Sequence, residues 1–409
     1  MPVPPSSLSR SRRLRRQLID RLRADEVLVS PSVAAAFAEV PRELFIPELL
    51  KREGLDAVYR DEAVVTKRDA RGMPLSSSSQ PAIMAKMLEL LDLRPGHRVL
   101  EIGAGTGYNA ALLAHIVGPT GHVTSVDVDR DLARGARRAL RYAGTAATVV
   151  AGDGRIGHPR RAPYDRIIVT ACADDIRRAW REELVDGGRL ELPLRLDRDG
   201  AAIQLIPALE RRGRRLHLVA TTWGGFMPLH GGDGGWRPPR ATLAAQRSGQ
   251  DTQSSLASIS GAGVAGLSDR SARRLLAAVL AADGEPLAHG ITRIGSSQPP
   301  MLLIYLLLTI PSARRVTVHG GGRLGIGIVD RRAGGLAVLS VRSPWVARGD
   351  RRRTRTRWRL DAYGRGNAGA ELAALVEGWH ELRRSGRDRL KLTAYGSGER
   401  LRLRFGWGA

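Results

Sequence analysis

The sequence predicts an α/β protein: a parallel sheet with helices on both faces, joined to a smaller C-terminal α+β domain. Two observations carry this expectation. Between residues 98 and 193, short apolar runs alternate with amphipathic segments, the pattern of parallel strands crossed over by helices. From about residue 224 to 255 the chain turns rich in Gly, Pro and Ser, as in Gly231-Gly-Asp-Gly-Gly-Trp-Arg-Pro-Pro239, and beyond it the strand and helix signals are mixed. At 409 residues the chain is long enough for two domains, each with its own core.

Taken in order, residues 1–60 form a helical segment broken at Pro31, Pro41 and Pro47. Leu14, Leu18 and Leu22 with interleaved arginines make an amphipathic first helix. An Arg-rich transit peptide is the competing reading, and the lack of an apolar h-region argues against a secretory signal. Residues 61–80 read as a polar loop ending in Ser76-Ser-Ser-Ser-Gln-Pro81, and a helix over 81–91 starts with proline in its first turn. The sheet domain, 61–230, has strands expected near 98–102, 122–127, 146–150, 165–170 and 188–193. Helices are expected near 107–117, 130–142 and 174–184, with a closing antiparallel pair at 201–206 and 215–222.

After the linker, 231–255, the accessory domain, 256–409, predicts helices at 269–282 and 368–384. Its strands are expected near 301–310, 323–329, 335–341, 353–363 and 389–395. The apolar run Met301–Ile310 fits a core strand or a short buried helix and is too short to span a membrane.

The formal net charge is +24, from 65 basic residues of which only Lys51, Lys67, Lys86 and Lys391 are lysine. Such a balance attracts polyanions, acidic peptides included, and arginine dominance also follows from GC-rich coding. The single cysteine, Cys172, excludes an internal disulfide and points to a reducing compartment, the cytoplasm. The histidines show no metal-ligand spacing, so no metal is expected. A nucleic-acid partner is suggested by Arg351-Arg-Arg-Thr-Arg-Thr-Arg357, yet 4% aromatic residues leave few stacking platforms. Alternating Arg and Thr is also what an exposed strand face looks like.

The chemistry concentrates between Arg98 and Ala114. A buried strand ends near Glu101, a glycine turn follows at Gly103, Gly105 and Gly107, and a helix begins. Such turns suit nucleotide-like ligands because backbone N–H groups converge there. The acidic-x-Gly-x-Gly-x-Gly spacing differs from the dinucleotide fingerprint. An acidic residue suits the cationic methionine portion of S-adenosylmethionine better than a pyrophosphate. Asp127 ends the next strand, placed to accept from both ribose hydroxyls. Asp153 and Gly154 follow the third strand, where the carboxylate either receives the adenine amino group or caps the next turn. Thr170 lies on the same rim. Ser79 has two compatible readings: N-cap of the helix starting at Pro81, or a hydroxyl over the rim that orients the acceptor. Ser78 and Gln80 beside it, with Thr170, are candidate substrate contacts.

These residues resemble protein-L-isoaspartate O-methyltransferases from about residue 38 to 230. The resemblance rests on Val40-Pro-Arg-Glu-Leu-Phe-Ile-Pro47, Ser79-Gln-Pro81, Met84-Ala85 and the turn at 99–108. Gly152-Asp-Gly154, Ala162-Pro-Tyr-Asp-Arg-Ile-Ile-Val-Thr-Ala171, Gly187-Gly188, Leu192-Pro193 and Phe226-Met-Pro-Leu229 extend it in the same order. It implies a Rossmann-like S-adenosylmethionine-dependent methyltransferase sheet, with methyl transfer to the isoaspartyl α-carboxylate of a protein or peptide. It also implies that Ser79 is the catalytic residue. Two departures stand out: Ser77-Ser78 replaces the usual Thr-Ile type of pair, and the chain runs on well past the usual family ending. That ending, with Tyr363-Gly, Ala370-Glu-Leu and Gly378-Trp379, resembles the extension of actinobacterial homologues associated with ribosomally made, modified peptides. For those, the implied acceptor is an aspartate side chain of a precursor peptide.

Overall fold

Four helices lead the chain: α1 (Pro5–Ala24), α2 (Pro31–Glu39), α3 (Pro47–Glu53) and α4 (Leu55–Val58). Leu18, Ile19 and Leu22 bury one side of α1 while Arg12, Arg13 and Arg16 stay exposed, so its period serves packing. Pro31 and Pro47 open their helices, where a missing N–H costs nothing. This computed structural model describes residues 5–70, 72–196, 204–230, 242–246, 256–260, 264, 270, 293–294, 301–320, 323–333, 335–342, 356–364 and 366–408. They fall into two units: Met1–Leu194, Gln204–Trp236 and Leu392–Arg404 in the first, and Arg195–Ile203, Arg237–Lys391 and Phe405–Ala409 in the second.

Where the sequence predicts a polar loop, the first unit has a hairpin of β1 (Val64–Arg68) and β2 (Pro74–Ser78). Val64 pairs with Ser78 and Val65 with Ser77. A run of Thr, Lys and Ser carries no apolar alternation, so nothing local announces these strands. Helix α5 (Pro81–Leu91) follows, then β3 (Arg98–Ile102), α6 (Tyr108–Val117), β4 (His122–Asp127), α7 (Arg130–Tyr142), β5 (Thr148–Ala151), β6 (Tyr164–Val169), α8 (Arg178–Glu182) and β7 (Leu184–Glu191). Ala133, Ala136 and Leu140 form the buried stripe of α7, whose N-cap Asp129 accepts from Asp131 N and Leu132 N at 2.9 and 3.1 Å.

The five strands β7-β6-β3-β4-β5 pair in parallel, and Val99, Leu100, Ile167 and Val169 have essentially no exposure, as a doubly covered sheet requires. The short β8 (Leu194–Arg195) pairs with β9 (Gln204–Arg212), which joins β7 antiparallel and leads to β10 (Arg215–Trp223). The expected helix at 174–184 shrinks to α8 because the preceding backbone is used elsewhere. Ile176 O accepts from Leu401 N, and Cys172 pairs with Met227 and Leu229.

In the second unit, β11 (Thr242–Gln246), β12 (Leu256–Ser260), β13 (Arg293–Ile294), β14 (Arg315–Gly320), β15 (Arg323–Asp330), β16 (Gly335–Arg342) and β17 (Thr356–Tyr363) form one antiparallel sheet, ordered β11-β12-β14-β15-β16-β17-β13. The run expected as a strand at 301–310 is instead a helix, Met301–Thr309. A continuous apolar run has no period to separate the two. Here Leu302, Leu303, Leu306 and Leu307 pack with Ile326, Leu339 and the helix Ala368–Arg384. Most of the expected helix 269–282, of the linker and of the 351–357 arginine run lies outside the described residues. The chain ends in β18 (Arg389–Tyr395) and β19 (Arg402–Gly408), and β18 pairs antiparallel with β10 through Leu216–Ala394 and His217–Thr393. No helix among the described residues is long and apolar enough to cross a membrane.

Candidate active site

The strand order reverses at β3. The chain moves from β3 to β4 and β5 on one side, then crosses to β6 and β7 on the other. Ligands of such sheets sit outside the carboxyl ends at this switch point. The glycine turn stands there, with φ of +104° at Gly103 and +51° at Gly105, a backbone that side chains other than glycine rarely adopt. A Cβ at Gly103 would also fall 2.4 Å from Thr170 Oγ1. Asp127, at the end of β4, is 8% exposed. Its Oδ2 accepts from Gly105 N at 2.9 Å and its Oδ1 from Asp129 N at 3.0 Å. Burial pushes its pKa up, and these backbone N–H groups oppose the shift.

The other expected cofactor residues take different positions. Glu101 has no exposed surface. Its Oε1 accepts from Asn109 Nδ2 at 2.8 Å and its Oε2 from the Ser125 hydroxyl, so it ties β3 to α6 and β4. Burial raises its pKa to about 7 against both hydrogen bonds. Gly107 is the N-cap of α6 and packs on Ala136. Asp153 caps the turn Gly154–Ile156 through Arg155 N at 2.9 Å, and the Arg155 guanidinium holds its carboxyl below the usual range. Gly154 lies against Ile102, and its carbonyl accepts from Trp180 Nε1 at 2.8 Å. The Thr170 hydroxyl donates to Gly103 O at 2.8 Å, which makes it a clamp on the turn.

The serine run reaches this turn. A Cβ built on Gly105 would stand 3.7 Å from Ser76 Oγ and 3.7 Å from Ser77 O. Ser79 is half-buried, and its hydroxyl makes no hydrogen bond among the described residues. It is not the N-cap of α5; Gln80 holds that position. Nor is the helix N-terminus free for an acceptor carboxylate. Asp61 occupies it, accepting from Ala82 N and Gln80 Nε2, each at 2.8 Å. Ser78 is buried and its hydroxyl meets Arg42 Nη2 at 3.4 Å.

Sequence reasoning assigned no role to Arg42 or Asp61. Arg42 is fully buried and donates to Val58 O, Arg60 O, Glu62 O and Ser79 O at 3.1–3.2 Å. Burial lowers its pKa. It therefore fixes the backbone that carries Ser79. The signal was an arginine between Pro41 and the apolar Leu44-Phe45-Ile46, a setting that asks what pairs with it.

Comparison with known proteins places this geometry. The family model of protein-L-isoaspartate(D-aspartate) O-methyltransferase (PCMT) matches residues 12–230. The chain belongs to that family. A protein-L-isoaspartate O-methyltransferase of Methanopyrus kandleri is 40% identical over 231 residues, covering 56% of this chain and 96% of the relative. One of Hyperthermus butylicus is 38% identical over 244 residues, covering 57% of this chain and 95% of the relative. A solved structure described as protein-L-isoaspartate O-methyltransferase has a TM-score of 0.52 at 24% identity, covering 95% of this chain and 99% of that one. That likeness is one of fold.

The first unit is thus the Rossmann-like sheet of the S-adenosylmethionine-dependent methyltransferases, with S-adenosylmethionine as methyl donor. Two features of the site fit this molecule: the space over Gly105 that a Cβ would occupy, and a strand-end carboxylate at Asp127 beside it. Among the described residues, no group of three or more His, Cys, Asp or Glu is placed to hold a metal ion.

Proposed function

We propose that the protein is a protein-L-isoaspartate (D-aspartate) O-methyltransferase that esterifies the α-carboxylate of isoaspartyl residues in proteins and peptides of the cytoplasm. The observation that carries the reading is the meeting of Ser76 and Ser77 with Gly105. It brings the segment bearing the unpaired Ser79 hydroxyl to the glycine turn. S-adenosylmethionine supplies a methyl group on a cationic sulfur. Asp127 binds the ribose hydroxyls, Gly103 and Gly105 let the backbone approach, and Asp153 and Gly154 border the adenine end.

The chain's own task is mostly alignment. An isoaspartyl carboxylate is already ionised at neutral pH, so no general base is needed. Ser79 donates to one carboxylate oxygen and leaves the other aimed at the methyl carbon. Arg42 keeps the Ser79 backbone in register, and Asp61 keeps a second anion away from the start of α5. Orientation of this kind lowers a barrier without acid–base chemistry. The methyl ester is a far better acyl donor than the carboxylate, so in solution the next backbone nitrogen attacks its carbonyl, methanol leaves and a succinimide closes.

Replacing Ser79 by alanine tests the assignment. Turnover is expected to fall by about tenfold to a hundredfold while calorimetric affinity for S-adenosylmethionine stays at the wild-type value. Wild-type turnover in this variant would remove Ser79 from the site.

A further inference from the structure

The hairpin β1–β2 pairs with no other strand among the described residues. An isolated two-stranded ribbon is marginal in water, so its position has to come from contacts outside it. Its base is held by Arg42, which reaches Ser78 and Ser79. Its middle lies over Gly105 through Ser76 and Ser77. A third contact is made by Lys67 on β1, whose Nζ pairs with Asp129 Oδ2 and stands 3.9 Å from Asp131 Oδ2.

Asp129 is not an ordinary surface carboxylate. Its Oδ1 caps α7, and its backbone N–H donates to Asp127 Oδ1 at 3.0 Å. The other oxygen of Asp127 accepts from Gly105 N at 2.9 Å. The links therefore run in a ring: three direct contacts, Lys67 to Asp129, Asp129 to Asp127 and Asp127 to Gly105, closed by the approach of Ser76 to the open side of Gly105. Lys67 and Asp129 keep only 32% and 25% of their side-chain surface, so the pair is partly shielded. A compact ammonium suits a single carboxylate oxygen, and this is one of only four lysines in a chain with 65 basic residues.

We propose that Lys67 is a positioning residue that fastens the hairpin leading into Ser79 to the cofactor-binding end of β4 through Asp129, and so holds the hairpin over the glycine turn. The proposal rests on the reading of Asp127 and Gly105 as the cofactor site. Its consequence is that cofactor retention depends on an ion pair lying outside the Asp127–Gly105 contact itself.

The test uses the full chain and four variants: Lys67→Met, Asp129→Asn, the double substitution and Lys67→Arg. Asparagine caps helices as well as aspartate does, so Asp129→Asn removes the ion pair while keeping the start of α7. Affinity for S-adenosylhomocysteine is measured by calorimetry with no acceptor present, and Tm is followed alongside. Each single variant is expected to bind roughly threefold to fivefold more weakly, the size of a partly shielded ion pair. The double variant should be no worse than either single one, because both remove the same interaction. Lys67→Arg should recover part of the loss, and added salt should weaken the wild type towards the variants. In turnover assays the larger part of the loss should fall on the cofactor KM.

Unchanged affinity in both single variants, or additive losses in the double variant, would overturn the proposal. A wild-type chain that binds S-adenosylhomocysteine but methylates no isoaspartyl peptide would defeat the proposed function and leave the ion-pair test intact. A wild type that binds no S-adenosylhomocysteine would overturn both.

Discussion

Arg42 gives the sharpest test of how the fold serves the site. Its guanidinium is buried and reaches four carbonyls and the Ser78 hydroxyl. Arg60 and Glu62 are exposed, so in Arg42→Met their carbonyls can turn to water. Val58 is buried and Ser79 half-buried, and their carbonyls are left without that escape. Two stranded acceptors at about 1–1.5 kcal/mol each predict a loss of about 2–3 kcal/mol. Arg42→Lys keeps the charge, but one ammonium cannot span acceptors arranged for a planar fork. We expect the lysine variant to lose about 1 kcal/mol of stability and still to lose at least about tenfold in turnover, because the tether on Ser79 O is gone. Urea unfolding reads the first quantity, and initial rates on an isoaspartyl peptide read the second. Wild-type turnover in Arg42→Lys would refute the idea that the guanidinium positions Ser79.

Further predictions concern the buried acids and the C-terminal strands. Glu191 is fully buried at the end of β7 with both carboxyl oxygens unpartnered among the described residues, and burial pushes its pKa well up. Glu101 is raised from 4.5 to about 7 by burial. Both acids bind protons more tightly when folded, so their contribution is fully present below the unfolded pKa and is lost as pH rises through the folded one. For Glu101 the window runs from 4.5 to about 7 and is worth about 3 kcal/mol. Glu101→Gln should flatten urea-unfolding stability across that window, and an unchanged pH slope would contradict the assignment. Glu191→Leu should raise Tm at neutral pH more than at about pH 4; a lower Tm would mean the acid has a partner. At the C-terminal end, Arg400 Nε lies 3.2 Å from Asp175 Oδ2, while Arg178 N and Leu401 N bond Glu399 O and Ile176 O at 2.8 Å. Arg400→Met should cost about 1 kcal/mol and speed proteolysis within 172–177; an unaltered cleavage rate would show that the backbone bonds suffice.

The parallel sheet was legible because its signals are local. Burial on both faces forces continuous apolar strands such as Val99-Leu100 and Ile167-Ile168-Val169, and glycine has to stand where φ is positive, as at Gly103. The position of Asp127 beside the turn was legible for the same reason: it closes a strand a fixed distance along the chain from the turn. Glu101 shares that pattern, yet its partners Asn109 and Ser125 come from a helix and a neighbouring strand, and they turn it inward. The hairpin, Arg42, Asp61 and the Lys67 ion pair depend on contacts between segments far apart in the chain, which no local period encodes. The placement of β18 beside β10 is of the same kind.

Methyl transfer from labelled S-adenosylmethionine to a short isoaspartyl peptide and to its aspartyl twin tests the proposed activity most directly. Only the isoaspartyl peptide is expected to be labelled, and Ser79→Ala is expected to suppress the labelling. Equal labelling of the twins, or silence on both by a chain that binds the cofactor, would contradict the proposed function.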